Sequence, residues 1–314
     1  MFGGGCLLRS TGDGIAKLEL IQMLKLVYHD GYNIDLGDHV FPAVKYRMIR
    51  EALNEWPVET PEPASDADVM LVHTRAWTEA LRDCTLMAQQ MYTLEIPWGP
   101  HTVKAFWLAA GGTILAARLA LRDGIGFNIG GGFHHAFADH GEGFCALHDV
   151  AIAIRKMQQE GLAQRIMVID TDVHHGNGTA GIFAGDSSVF TLSIHQYANY
   201  PAVKPPSTVD LHLPDGVEDE EYLEILRPAA TKAFQNFRPD LLFYVAGADP
   251  YKGDQLGGLK LSIQGLMERD RLVIEGARSR KIPVAITLAG GYARRVEDTV
   301  TIHANTARVA AEIG

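Results

Sequence analysis

From residue 124 to residue 288, short apolar runs alternate with longer stretches of helical periodicity. Residues 166–169 (IMVI), 189–195, 209–213, 241–246 and 284–288 predict strands, most of them near-continuous in apolar and β-branched side chains, as in strands buried on both faces. Residues 124–132 (GIGFNIGGG) predict a strand running into a glycine-rich turn, and MLKLVYH, from Met23, a first strand. Helical patterns occupy 109–121, 151–160 and 220–237, a helix begins within 69–83, and the proline-rich, acidic run 57–68 reads as a loop. Alternating strands and helices imply an α/β fold, a mainly parallel sheet with helices on both faces. With no internal repeat and no clear linker, residues 23–314 are expected to form one domain, and 1–22, rich in glycine and without periodicity, a loose N-terminal extension.

Composition narrows the function classes. The chain of 314 residues is 47% hydrophobic, enough for a large core, and its net charge of -10 disfavours direct nucleic-acid binding, which needs clustered Lys and Arg. Cys6, Cys84 and Cys145 form no CxxC pair, so neither a disulfide framework nor a cysteine metal site is indicated. Neither a secretory leader nor an uninterrupted membrane-spanning run stands out, and a cytoplasmic location without membrane association is expected.

Chemistry concentrates where apolar runs stop. After 166–169 come Asp170, Asp172 and His174 at alternate positions, which along extended backbone project to one side, just past a strand's carboxyl end. A carboxylate and an imidazole two residues apart suit a divalent metal such as zinc, and Asp249, at the end of LLFYVAGAD, supplies a third ligand. The tandem His134–His135 follows the glycine turn of 124–132, with Asp170 and Asn177 available as polar partners for two imidazole dyads. Tyr292 closes TLAGGY, where the glycines allow a close backbone approach and could aim its hydroxyl into the same crevice. His175 points away from the Asp172/His174 side and is expected to be structural; Cys145 reads as a small buried residue.

Those stretches, GGGFHH at 130–135, GEGFCALHD at 141–149, VIDTDVHHGNG at 168–178, GADPYKGDQLGG at 247–258 and LAGGY at 288–292, closely resemble the zinc-dependent histone deacetylase superfamily, most nearly its class IV branch. The similarity runs from about Leu26 to Val309. It implies the arginase/deacetylase fold, with a central parallel sheet of about eight strands. It also implies Zn2+ on Asp172, His174 and Asp249, His134 and His135 as the acid/base pair backed by Asp170 and Asn177, and Tyr292 as the oxyanion donor. Gly143 and Phe144 match the wall of a lysine channel. A structural K+ is implied at Asp170, Asp172, His174, Ser193 and the backbone of Ile194. The implied reaction is removal of an acetyl or longer acyl group from lysine in a protein or peptide.

Three departures mark this chain. Asn177 stands where some branches carry aspartate, which should leave its histidine less basic. YPAVKPPS at 200–207 replaces the usual channel turn, making Tyr200 the candidate second wall, and the rim aspartate that holds the substrate backbone has no clear match near 94–101, where Glu95 is the nearest acid. A small acetylated amine such as a polyamine is the alternative substrate, disfavoured by Leu256, which occupies the place where a polyamine-selective relative would carry an acidic gatekeeper, and a catalytically silent acyl-lysine binder is the alternative class.

Overall fold

The computed structural model describes residues 24–314. The expected extension at 1–22 lies outside the described residues. Eight strands form one sheet: β1 (Leu26–Val27), β2 (Val58–Glu59), β3 (Ile125–Asn128), β4 (Ile166–Asp170), β5 (Val189–Gln196), β6 (Val209–Leu213), β7 (Leu241–Val245) and β8 (Val284–Thr287). Their order is β2-β1-β3-β8-β7-β4-β5-β6, and every pairing is parallel. The strands expected at 166–169, 189–195, 209–213, 241–246 and 284–288 are therefore present with ends shifted by a residue at most. Strands β3, β4, β7 and β8 are buried along their whole length, as their continuous apolar runs require between two layers of helices.

Among the described residues ten α-helices cover the sheet: α1 (Val44–Ala52), α2 (Asp66–Val69), α3 (Arg75–Arg82), α4 (Ala88–Leu94), α5 (Pro100–Asp123), α6 (Asp149–Gln159), α7 (Asn177–Ile182), α8 (Asp219–Phe237), α9 (Ile263–Arg278) and α10 (Val296–Ile313). Helix α5 is long and apolar enough to cross a bilayer, yet 78% of its apolar window is buried. It is a core helix, packed along β3 and β8 and against α6. Helix α9 packs between α8 and α10.

Two local expectations need correction. The run 57–68 is not simply a loop, because Val58 and Glu59 pair with β1 as an edge strand and α2 starts at Asp66. The stretch 69–83 is not one helix. Ser65 caps α2 through the Asp68 amide at 3.1 Å, and Thr74 starts a new helix by accepting the Trp77 amide at 3.3 Å.

Candidate active site

The sheet order brings the candidate residues together. β3, β8, β7 and β4 are consecutive neighbours. The turn after β3 carries His134 and His135, the turn after β8 carries Tyr292, the turn after β7 carries Asp249, and β4 ends in Asp170 and leads to Asp172 and His174. Their carboxyl ends share one crevice, the position favoured in parallel α/β sheets.

Asp172, His174 and Asp249 are buried and each offers a ligand atom, all within 4.8 Å of one another. One Asp172 oxygen accepts the His174 ring nitrogen at 2.9 Å and the other the Gly290 amide at 2.8 Å. Asp249 takes the Val173 amide at 2.9 Å on one oxygen; its other oxygen is buried with no hydrogen-bond partner and lies 3.3 Å from the His174 ring nitrogen, too poorly aligned for a bond. Burial and the adjacent Asp172 carboxylate push Asp249 up to about 7. Burial lowers the His174 pKa, but the two carboxylates beside it, Asp172 through its hydrogen bond and both through their charge, outweigh it and hold the imidazole up at about 10. Two acids and an imidazole competing for protons, with one carboxylate oxygen left unpartnered, form a donor set suited to a dication such as zinc.

The tandem histidines occupy two different electrostatic environments. His134 Nδ1 meets the Asp170 carboxylate at 2.6 Å, and although burial opposes its charge, Asp170 and Asp172 raise its pKa to about 9. His135 Nδ1 meets Asn177 Oδ1 at 2.6 Å; burial, then the charges of His134 and His174, hold it well below the usual imidazole value. Asn177 in turn donates its amide to the Glu142 carboxylate, which fixes Asn177 Oδ1 toward the histidine. His135 therefore carries its proton on Nδ1 and presents a free lone pair on Nε2. Glu142 was not anticipated, since its acidity within GEGF carries no periodicity signal. The same turn is steadied by Asp149, the first residue of α6, which accepts the Gly132 and Phe133 amides at 3.0 and 2.8 Å.

Tyr292 is buried, and burial together with Asp172 and Asp249 keeps its phenol protonated well above the ordinary tyrosine value. Its amide is held by Asp254 at 2.6 Å. Only glycine fits at 290, where a Cβ would lie 1.9 Å from the Asp249 carboxylate oxygen. Lys45 on α1, fully buried, donates to the Ala289 carbonyl at 2.7 Å in that turn and was also missed, because one lysine in an amphipathic helix ordinarily faces water.

Above these groups the walls are aromatic. Tyr200 stands edge-on to His135 with ring centroids 4.9 Å apart, and Phe144 lies 6.0 Å from the Tyr292 ring. Gly143 adopts φ +53° and Phe144 φ +68°, so the wall turn uses left-handed backbone at both positions. Gly143 and Phe144 line the cavity that reaches His134, His135, Asp172, His174 and Tyr292; Phe41 of the segment before α1 joins them. Leu256 does not line that cavity. It is half-buried against the core, and its carbonyl accepts the Asn199 amide at 2.8 Å. Glu95 is exposed, in left-handed backbone, and its carbonyl meets His39 at 2.8 Å.

Ser193 pairs with Asp170 across β4 and β5, but its hydroxyl lies 2.9 Å from His195 Nδ1. Cys145 is buried, burial pushes its thiol well above the usual range, and its sulfur donates to the Gly143 carbonyl, so it is inert packing.

Comparison with known proteins identifies the family and the fold. Residues 39–307 match the family model of the histone deacetylase domain. An uncharacterised protein of Picosynechococcus is 41% identical, covering 92% of this chain and 98% of its own length. Histone deacetylase 2 of Arabidopsis thaliana is 31% identical over 89% of this chain and 78% of its own, and histone deacetylase 8 of Xenopus tropicalis 28% identical over 86% and 80%. The crystal structure of the HDA15 HD domain superposes with a TM-score of 0.78 at 20% identity, covering 93% of this chain and 89% of that one, and so shares the fold.

Proposed function

Because this chain belongs to the histone deacetylase family, we propose that it is a zinc-dependent hydrolase removing acetyl or longer acyl groups from the ε-amine of lysine in proteins or peptides. The observation that carries the reading is the pair of adjacent buried imidazoles, His134 held by Asp170 and His135 by Asn177 at 2.6 Å each, beside the Asp172/His174/Asp249 set. Bound there, zinc would supply a Lewis acid for the amide carbonyl and lower the pKa of a water.

The chain's own groups account for the rest of the chemistry. His135 Nε2, free because Nδ1 is committed to Asn177, takes the proton of the attacking water. The Tyr292 hydroxyl donates to the oxygen that becomes negative as the tetrahedral centre forms. A proton then returns to the leaving amine from the histidine pair, whose two members titrate together. Phe144 and Tyr200 keep bulk water from the lysine stem, whereas the rim acid that would hold a substrate amide has no clear counterpart in this chain, Glu95 being the nearest acid. Next to the catalytic cavity lies an apolar one walled by Tyr32, Ile34, Leu36 and Phe106, sharing Phe41, Phe133 and Phe144 with it. That shared wall supports acyl chains longer than acetyl. The implied K+ at Asp170, Asp172, His174, Ser193 and Ile194 rests on the resemblance.

A second reading has one observation in its favour. Glu142 and Glu95 both act on Tyr200 at the channel wall, and their charge would suit the distant ammonium of a small acetylated polyamine. One assay separates the readings: the zinc-loaded protein is offered peptides bearing acetyl-, octanoyl- and myristoyl-lysine, with acetylspermidine alongside. Peptide turnover with higher kcat/KM supports the proposal. Preference for acetylspermidine replaces it with the polyamine reading, and no turnover of any substrate by protein holding its zinc leaves only a binding module.

A further inference from the structure

A second cluster of donors lies at the opposite side of the β4 loop. His175, adjacent in sequence to His174, is fully buried and turns toward β5 and the edge strand β6. Its Nε2 lies 3.1 Å from the Asp210 carboxylate, and its ring packs edge-on to His195 with centroids 4.6 Å apart. His175, His195 and Asp210 each present one ligand atom, all within 4.8 Å of one another. The parallel register sets His195 directly opposite His212, and their facing ring nitrogens are 2.8 Å apart. Alternation along β6 puts Asp210 and His212 on one face, as it does Ser193 and His195 on β5.

We propose that His175, His195 and Asp210 form a second divalent-metal site of zinc type, separate from the catalytic set, which His212, placed against His195, completes as fourth donor when its ring turns toward the other two. The donor chemistry selects the metal. Imidazole nitrogens with a single carboxylate favour zinc or a similar transition ion, whereas potassium, calcium and magnesium take oxygen ligands. The geometry is close to what such an ion needs. Ligands about 2.0 to 2.1 Å from a tetrahedral centre stand roughly 3.4 Å apart, against 3.1 Å for His175 to Asp210 and 2.8 Å for His195 to His212. The widest separation within the three-residue set, under 4.8 Å, closes with a shift of roughly 1 Å.

Access and support are both present. His212 is exposed and lines an open groove with Tyr197, Tyr200 and Lys204, through which an ion can enter. The Lys204 ammonium is engaged by the Asn199 and Pro201 carbonyls at 2.7 and 2.6 Å, which keeps that cation occupied at the groove wall. Behind the ligands, Ser193 Oγ meets His195 Nδ1 at 2.9 Å and the Ser207 amide donates to the second Asp210 oxygen at 2.9 Å, the outer contacts that orient metal ligands. With His212 recruited, four protein donors leave no open position, so the ion has a structural role. It ties the loop carrying His174 and Asn177 to strands β5 and β6. His175, expected from sequence to be merely structural, becomes a ligand.

The test uses the full chain, stripped with chelator, reloaded with Zn2+ or Co2+ and desalted, with metal per chain read by elemental analysis. Wild type should hold two zinc ions per chain. Asp210→Asn and His212→Ala, both at partly exposed positions, should hold one, bind the second at least tenfold more weakly and keep their deacylase activity in zinc. The cobalt form should lose about half its tetrahedral absorption in each variant, while circular dichroism reports an intact fold. Because the inference rests on the difference between wild type and variants, it stands or falls even if no acyl-lysine substrate is turned over. Equal metal content in wild type and a folded His212→Ala that also matches it in cobalt absorption would overturn the site, leaving a hydrogen-bonded cluster only. So would a wild type that holds one ion per chain and keeps it in both variants.

Discussion

Gly143→Ala is the sharpest test of how this crevice is built. Gly143 has φ +53°, and a Cβ there would sit 2.8 Å from His135 Cδ2 and 2.9 Å from the Tyr200 ring. Left-handed backbone costs an alanine about 1 to 2 kcal/mol. Relieving the contact to an ordinary separation near 3.5 Å requires the imidazole or the wall to retreat by roughly 0.7 Å, and displacement of about 1 Å in a catalytic group costs on the order of 10²-fold in rate. The expected result is a stability loss of about 1 to 2 kcal/mol together with a kcat reduced roughly 30- to 100-fold, with zinc content unchanged. Gly161 supplies the control, because it has φ +69° with nothing within 4 Å of its would-be Cβ. Gly161→Ala should lose comparable stability and no activity. Thermal or urea unfolding, elemental analysis and steady-state kinetics on an acyl-lysine peptide read all three quantities. If Gly143→Ala keeps the kcat of Gly161→Ala, His135 is not held against this turn in the way that matters for turnover.

Three further expectations follow from named contacts. Tyr292→Phe should keep fold and zinc while lowering kcat by roughly 10²-fold, with KM changed far less; an unaltered kcat would return Tyr292 to packing. Glu142→Gln should weaken the charged anchor of Asn177 and lower kcat several-fold, with Glu142→Asp restoring part of it; full activity in Glu142→Gln would show that Asn177 orients His135 unaided. Acid stability depends on buried histidines: burial holds His73 down at about 4 against an ordinary 6.5, while its Nε2 accepts the His148 amide at 2.9 Å. Above pH 6.5 the ring is neutral in both folded and unfolded chains. As pH falls from 6.5 toward 4 the unfolded chain takes up the proton first, so stability drops with falling pH, by about 3 kcal/mol from this group over that window. Urea unfolding across the window should show a shallower slope in His73→Gln, and an identical slope would remove His73 from the account.

Much of this protein was legible locally. Continuous apolar runs at 166–169, 241–246 and 284–288 specify strands buried on both faces, because only a sheet between two helical layers hides both sides of a strand. Polar residues clustered just beyond those runs marked Asp170, Asp172, His174, Asp249 and Tyr292, since strand ends are where side chains leave the core. Short edge strand β2 and the break between α2 and α3 were less visible, being decided by pairing with β1 and by capping at Ser65 and Thr74 rather than by periodicity.

What only the tertiary structure decided is who stands beside whom. Nothing in the chain order 3, 4, 7, 8 says that the strands lie as β3-β8-β7-β4, yet that order alone sets Tyr292 between the histidine turn and Asp249. Contacts made over long sequence separations share that character: Lys45 reaches Ala289 across 244 residues, Asn177 meets Glu142 across 35, and His175 meets Asp210 across 35. Hydrophobic periodicity is a property of neighbours along the chain and so can be read from sequence. Pairing of distant strands and the partners of buried polar groups are set by packing the whole core at once, and they exist only in the folded molecule.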